Sequence, residues 1–118
     1  MRVFMTPGFA RDARRTGITT AELCRAAQDI IAGLAIDLGG GVYKKRLNQN
    51  RHRGIVLARG TQHMCFVYLY AKQDQANIDP SDLHQLRRLA KEYETLTVGH
   101  LAILLNAADL KEVPCEAS

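Results

Sequence analysis

The period of the hydrophobic positions changes along this 118-residue chain, and the changes outline its elements. Arg2 to Met5 is a short apolar-rich run closed by Thr6-Pro7. Proline cannot continue a ladder and pre-sets a helix start, so the run predicts a first strand followed by a basic helix near Pro7 to Arg15, ended by Gly17. Thr19 or Thr20 then caps a second helix with Glu22 in its first turn. Leu23, Ala27, Ile30, Ile31 and Leu34 recur at helical spacing and predict one apolar stripe. Together the two segments predict a helical hairpin.

After Gly39-Gly40-Gly41 the period falls from 3.6 to 2. Val42 to Leu47 reads as a strand, Asn48 to Arg51 as a turn and Arg53 to Arg59 as a second strand. Gly60-Thr61-Gln62 makes a tight connection to a third strand, Met64 to Lys72, rich in aromatic and β-branched residues. Short connections predict an antiparallel meander. Asp79-Pro80 or Ser81 starts a helix through Tyr93, with Leu83, Leu86, Ala90 and Tyr93 on one side, and Thr97 caps a last helix holding Leu101, Leu104 and Leu105. Strand, two helices, three strands and two helices predict an α+β fold, with the helices packed on the sheet. The length predicts one domain over residues 1–118, with residues 114–118 as a frayed tail.

Composition adds limits. A hydrophobic fraction of 47% and a charged fraction of 24% match an ordinary soluble globular protein. Cys24, Cys65 and Cys115 show no close pairing and no zinc spacing. Cys24 and Cys65 read as small core residues, and the expected setting is a reduced, cytoplasmic one. No secretory leader, membrane span, metal site or cofactor site is expected.

Charge changes the picture more. The 36 residues from Leu38 to Gln73 hold no Asp or Glu, but they hold Lys44, Lys45, Arg46, Arg51, Arg53, Arg59 and Lys72. This stretch carries +7, the remainder −3, and the whole chain +4. Such a concentrated field points to a polyanion, most often nucleic acid. Strand alternation puts Val42, Lys44 and Arg46 on one side and Tyr43, Lys45 and Leu47 on the other. Lys44 and Arg46 then stand about 7 Å apart, near the spacing of phosphates along a single strand. Arg53 can approach them from the next strand, and Lys72 is a candidate for the same rim. The plainer reading is a solvated basic edge, where lysine discourages strand-to-strand aggregation; the absence of acids argues against it.

His52 and Tyr70 are the groups near these cations able to move a proton. His52 reads equally well as a turn or strand-start residue, and His63 reads as an exposed loop residue. Tyr68 and Tyr70 share a face, where they either stack bases or pack against a helix. The glycine run is followed by a strand and lacks a Lys-Ser/Thr ending, which excludes a P-loop.

The run Asp37-Leu38-Gly39-Gly40-Gly41-Val42-Tyr43-Lys44-Lys45-Arg46 resembles the D-L-G-G-G-x-x-K-x-R segment of a RelE-like toxin subfamily. These toxins belong to type II toxin–antitoxin modules, within the RelE/ParE superfamily. Phe9-Ala10-Arg11, Glu22-Leu23-Cys24-Arg25-Ala26, Phe66 to Lys72 and Ala76-Asn77-Ile78-Asp79 are similar too, in the same order, so the resemblance runs from about Val3 to Val113. It implies a twisted antiparallel sheet with an N-terminal helical hairpin and C-terminal helices. It also implies a metal-independent mRNA endonuclease acting on message at the ribosome, and a cognate antitoxin covering the basic surface. Lys44 and Arg46 match the family's basic strand, Arg53 the Arg of its Tyr-Arg strand start, and Lys72 the basic end of the last strand. His52 stands where the subfamily has Tyr, after a loop cut to Asn48-Gln49-Asn50-Arg51. The expected catalytic set is Arg53, Arg46, Lys44 and His52, with Lys45, Arg51, Lys72 and Tyr70 binding RNA. The rival expectations are a ParE-like toxin that binds DNA gyrase without cutting RNA, and an inactive nucleic-acid-binding remnant.

Overall fold

The computed structural model describes residues 1–60 and 62–115. Its elements are β1 (Arg2–Met5), α1 (Pro7–Thr16), α2 (Thr20–Ile31), β2 (Ile36–Asp37), β3 (Val42–Leu47), β4 (His52–Leu57), β5 (His63–Ala71), α3 (Pro80–Glu94), α4 (Val98–Asn106) and β6 (Lys111–Val113). The strands form one sheet in the order β2-β3-β4-β5-β1-β6, and the fold is α+β. The β3-β4-β5 meander is antiparallel, as the short connections require. β1 pairs with β5 in parallel, and the two short edge strands, β2 and β6, carry too few residues for a period to show.

Local chemistry sets the helix ends. The Thr6 and Thr19 hydroxyls accept the Phe9 and Glu22 amides, and Gly17 closes α1 in the left-handed region at φ 79°. Asp79 and Thr97 cap α3 and α4 in the same way. The main contacts of α1 are with β5, and those of α2 with β3 and β6, so the helical-hairpin arrangement is not confirmed. The predicted α2 stripe is cut short as well. Ile31 ends the helix and Leu34 follows Gly33, and both are exposed, while Leu23, Ala26, Ala27 and Ile30 are buried.

Helices cover both faces of the sheet. On one, Phe9, Ala13, Leu23, Ala27 and Ile30 meet Leu47, Val56, Phe66 and Leu69. On the other, α3 covers Val42, Ile55, Leu57 and Tyr70, and α4 covers Phe4 and Cys65. Gly41 shows what the glycine run is for. At φ +85° an added Cβ would lie 2.4 Å from Arg59 Cβ, so only glycine permits this approach of loop to strand end.

Two expectations are corrected. Cys24 and Cys115 form a disulfide across 91 residues with Cα atoms 5.5 Å apart, so the cysteines no longer argue for a reduced setting. The pairing was hidden because β6, unseen in the sequence, carries Cys115 back to α2. It also ties down residues 114 and 115 of the expected frayed tail; residues 116–118, like Thr61, lie outside the described residues. His63 is buried rather than exposed, with Nε2 2.5 Å from the Tyr93 carbonyl and its ring edge-on to Phe4. Cys65 is a free, buried thiol that desolvation pushes up to about 12. Among the described residues, no helix is long and apolar enough to cross a membrane.

Candidate nucleic-acid site

The site lies at the turn end of the β3–β4 hairpin, on the face that α3 covers further along. Strand pairing sets Arg46 opposite Arg53 and Arg53 opposite Tyr70, making one row across three strands. Lys44 is one step along, in the row Lys44–Ile55–Tyr68. Lys44, Arg46 and Arg53, together with Lys45, line a cleft of about 340 Å³ closed on one side by Leu34, Ala35 and Ile36. This cleft wall comes from β2 and the segment before it, which no sequence signal pointed to.

Its electrostatics are unbalanced. Arg53 is only 8% exposed, yet among the described residues no carboxylate pairs with it. Its Nη1 donates to the carbonyls of Asn50 and His52, each at 3.1 Å. Like charges directly opposite on neighbouring strands repel, and a buried charge is costly without a partner. The Arg46–Arg53 pair therefore sets two like charges together with no carboxylate among the described residues to offset them. Lys44 Nζ donates to Asn77 Oδ1 at 3.2 Å and has no carboxylate partner among the described residues either. Next in the row, Tyr70 is 6% exposed and its hydroxyl is buried without a hydrogen-bond partner. Burial raises its pKa, Arg53 opposes the shift and Tyr68 adds to it, so the phenol keeps its proton at neutral pH.

The turn that positions Arg53 is conformationally costly. Asn48, Gln49 and Asn50 all have positive φ, at 54°, 55° and 68°. Asparagine tolerates this region better than most side chains, which is the only sequence trace of the turn. The helices hold it in place: Glu22 Oε2 accepts the Asn48 amide at 2.5 Å, and the Asn48 side chain donates to Thr16 O. Arg51 donates to Asn48 O and Oδ1, both at 3.2 Å, so its guanidinium closes the turn.

The structure separates the remaining predicted site residues. His52 pairs with Leu47 in the register and shares its face, opposite to Arg53, and its Nδ1 accepts from Asn48 Nδ2 at 3.1 Å. His52 is therefore not brought together with Arg53, Arg46 and Lys44. Lys45 also faces the other way, 3.2 Å from Asp29 on α2. Lys72 is exposed in the turn just past β5, and its amide donates to Arg51 O. Among the described residues, no group of three or more His, Cys, Asp or Glu is placed to hold a metal ion.

A family model described as the RelE toxin of the RelE / RelB toxin–antitoxin system matches residues 1–113. Searches of curated proteins and of solved structures found no match.

Proposed function

The chain belongs to the RelE toxin family of toxin–antitoxin systems, and from that membership and the cleft we propose that it is an mRNA endonuclease acting on ribosome-bound message. The observation that carries the proposal is the Arg46–Arg53–Tyr70 row: two opposed guanidiniums, one of them buried without a carboxylate, beside an unpartnered phenol.

In the proposed reaction a ribose 2′-oxygen attacks the adjacent 3′-phosphorus. The O2′–P bond forms and the P–O5′ bond breaks, leaving a 2′,3′-cyclic phosphate and a 5′-hydroxyl. Arg53 and Arg46 stabilise the charge growing on the non-bridging oxygens, and fixed donors of this kind are often the largest catalytic contribution. Lys44 holds the neighbouring phosphate. The Tyr70 phenol protonates the departing O5′ and regains its proton from water, while the 2′-hydroxyl proton passes to water. His52, on the opposite face, takes no part. The antitoxin that the family implies has the same cations to neutralise, and an acidic segment suits them.

The test is to express the chain briefly without its antitoxin and map message ends and plasmid supercoiling. Fresh message ends with unchanged supercoiling are expected, and Arg53→Ala is expected to slow their appearance by about 10²–10³. A supercoiling change without cut message would replace this proposal with gyrase inhibition.

A further inference from the structure

A cavity of about 530 Å³ lies between α3 and β5, and the row of cations does not use it. We infer that it is a nucleobase slot selecting guanine beside the cleaved phosphate, an inference that rests on the nuclease proposal above.

The walls have the chemistry of a base site. Ile78, Leu86 and Leu89 supply apolar surface, and Tyr68 supplies an aromatic plane. Tyr68 is 40% exposed. Its ring is held from both ends: it tilts against Tyr70 with centroids 5.5 Å apart, and its hydroxyl donates to Gln75 Oε1 at 3.3 Å. A fixed, half-open aromatic ring is a stacking platform, and stacking accepts any base.

Selection comes from the polar rim. Asp82 is exposed in the first turn of α3 and has no ion pair among the described residues. A carboxylate only accepts hydrogen bonds. Guanine is the one base with two adjacent donors, N1–H and N2–H, on its Watson–Crick edge. Adenine and cytosine each set a ring acceptor beside their single donor, and uracil flanks its donor with two carbonyls, so each places an acceptor against the carboxylate. Gln85, three residues further along the same helix face, carries the amide donor that guanine O6 needs.

Register ties the slot to the reaction. Tyr68 lies two residues before Tyr70 on one face of β5, and the Lys44–Ile55–Tyr68 row lies next to the Arg46–Arg53–Tyr70 row. The rows are about 7 Å apart, so a nucleotide whose phosphate rests on Arg53 has this slot as its neighbour.

The test is an amide chemical-shift titration of the full chain with 5′-GMP, 5′-AMP, 5′-CMP and 5′-UMP. None has an internucleotide bond, so the slot is read whether or not the chain cuts RNA. GMP is expected to shift Val67, Tyr68, Asp82 and Gln85 and to bind about tenfold more tightly than the others. Asp82→Asn, at an exposed position, is expected to erase that preference, and Tyr68→Ala to weaken all four nucleotides by roughly tenfold or more. Equal binding of the four, shifts confined to the residues around Lys44 and Arg53, or a guanine preference that survives Asp82→Asn would each overturn the inference. Silence at the slot with all four would leave it as a seat for an apolar side chain of a protein partner, which also overturns it. Guanine selectivity in a chain that cuts no message would sink the nuclease proposal and leave the slot standing.

Discussion

β3 carries three consecutive cations, and its two faces treat them in opposite ways. Lys45 turns toward α2, where Asp29 meets it at 3.2 Å. Lys44 and Arg46 turn the other way, toward a cleft where no carboxylate among the described residues answers them, and Arg53 joins them from the next strand. Strand alternation thus sorts one basic run into a cation that meets a helix carboxylate and cations without a carboxylate among the described residues. Net charge locates such a region without saying which of its charges are already neutralised.

The sharpest way to break this comparison is to delete one cation from each face. Arg53→Ala is expected to slow message cleavage by about 10²–10³, the effect of losing one preorganised donor. Lys45→Ala is expected to cut at the parent rate per folded molecule. Arg53→Lys should recover little, because an ammonium cannot reproduce the fork of donors on a guanidinium. Equal losses from Arg53→Ala and Lys45→Ala, measured on ribosome-bound message, would mean that the two faces do not differ in function.

The helix-anchoring face is also where the chain is cross-linked. Cys24 on α2 meets Cys115 beyond β6, closing a loop of 91 residues. Chain-entropy arguments for loops of this order place the loss on reduction at about 2–5 kcal/mol. A urea titration with and without reductant, and of Cys24→Ser, should show a lower midpoint in both cases, with cleavage per folded molecule unchanged. A matching fall in cleavage would show that the two faces are coupled.

Tyr70→Phe separates function from stability on the cleft side. The hydroxyl is buried without a partner, so replacing it with hydrogen is expected to raise stability by about 1 kcal/mol. The same change is expected to slow cleavage by roughly 10² through loss of the acid. Thermal unfolding and cleavage mapping on one preparation read both. A Tyr70→Phe chain that is less stable would mean the hydroxyl has a partner in solution.

The parts of this fold legible in the sequence are those with a strong period or strong punctuation. Thr6-Pro7, the glycine run and the 2-period of Val42–Leu47 led to β1, α1 and β3 because proline, glycine and alternation act locally. β2 and β6 were missed because two or three residues show no period, and they bring Leu34–Ile36 to the cleft and Cys115 to α2. The Lys44–Arg46–Arg53 surface was legible from alternation alone. The sequence could not show that Arg53 is buried, because that depends on the carbonyls of Asn50 and His52 folding back over it in a left-handed turn. His52 does not join the cleft row because its neighbour in sequence, Arg53, points the other way; adjacent residues of a regular strand face opposite sides.

The smallest expected effect comes from an arginine that does have its carboxylate. Arg2 donates through Nε and Nη2 to the two oxygens of Glu112, both at 2.9 Å, linking β1 to β6 at the sheet edge. Those hydrogen bonds hold the Glu112 carboxyl below its ordinary 4.5, with burial opposing the shift and the charge of Arg2 adding to it. A carboxyl whose folded pKa is depressed contributes its stability above the unfolded value and loses it as pH falls through the folded one. Thermal midpoints should therefore start to drop as pH passes below about 4.5, and Glu112→Gln should flatten that part of the curve. Both side chains are about two-fifths exposed, so the change is small and shrinks with added salt. The cleft cations should behave differently. No carboxylate among the described residues pairs with Arg53, so acid takes no partner from it. Binding of a short, uncleavable oligonucleotide should then stay constant over the pH range in which the Arg2–Glu112 link is lost. If binding and the Glu112-dependent stability fall together, Arg53 has an acidic partner in solution, and the contrast between the two faces of β3 fails.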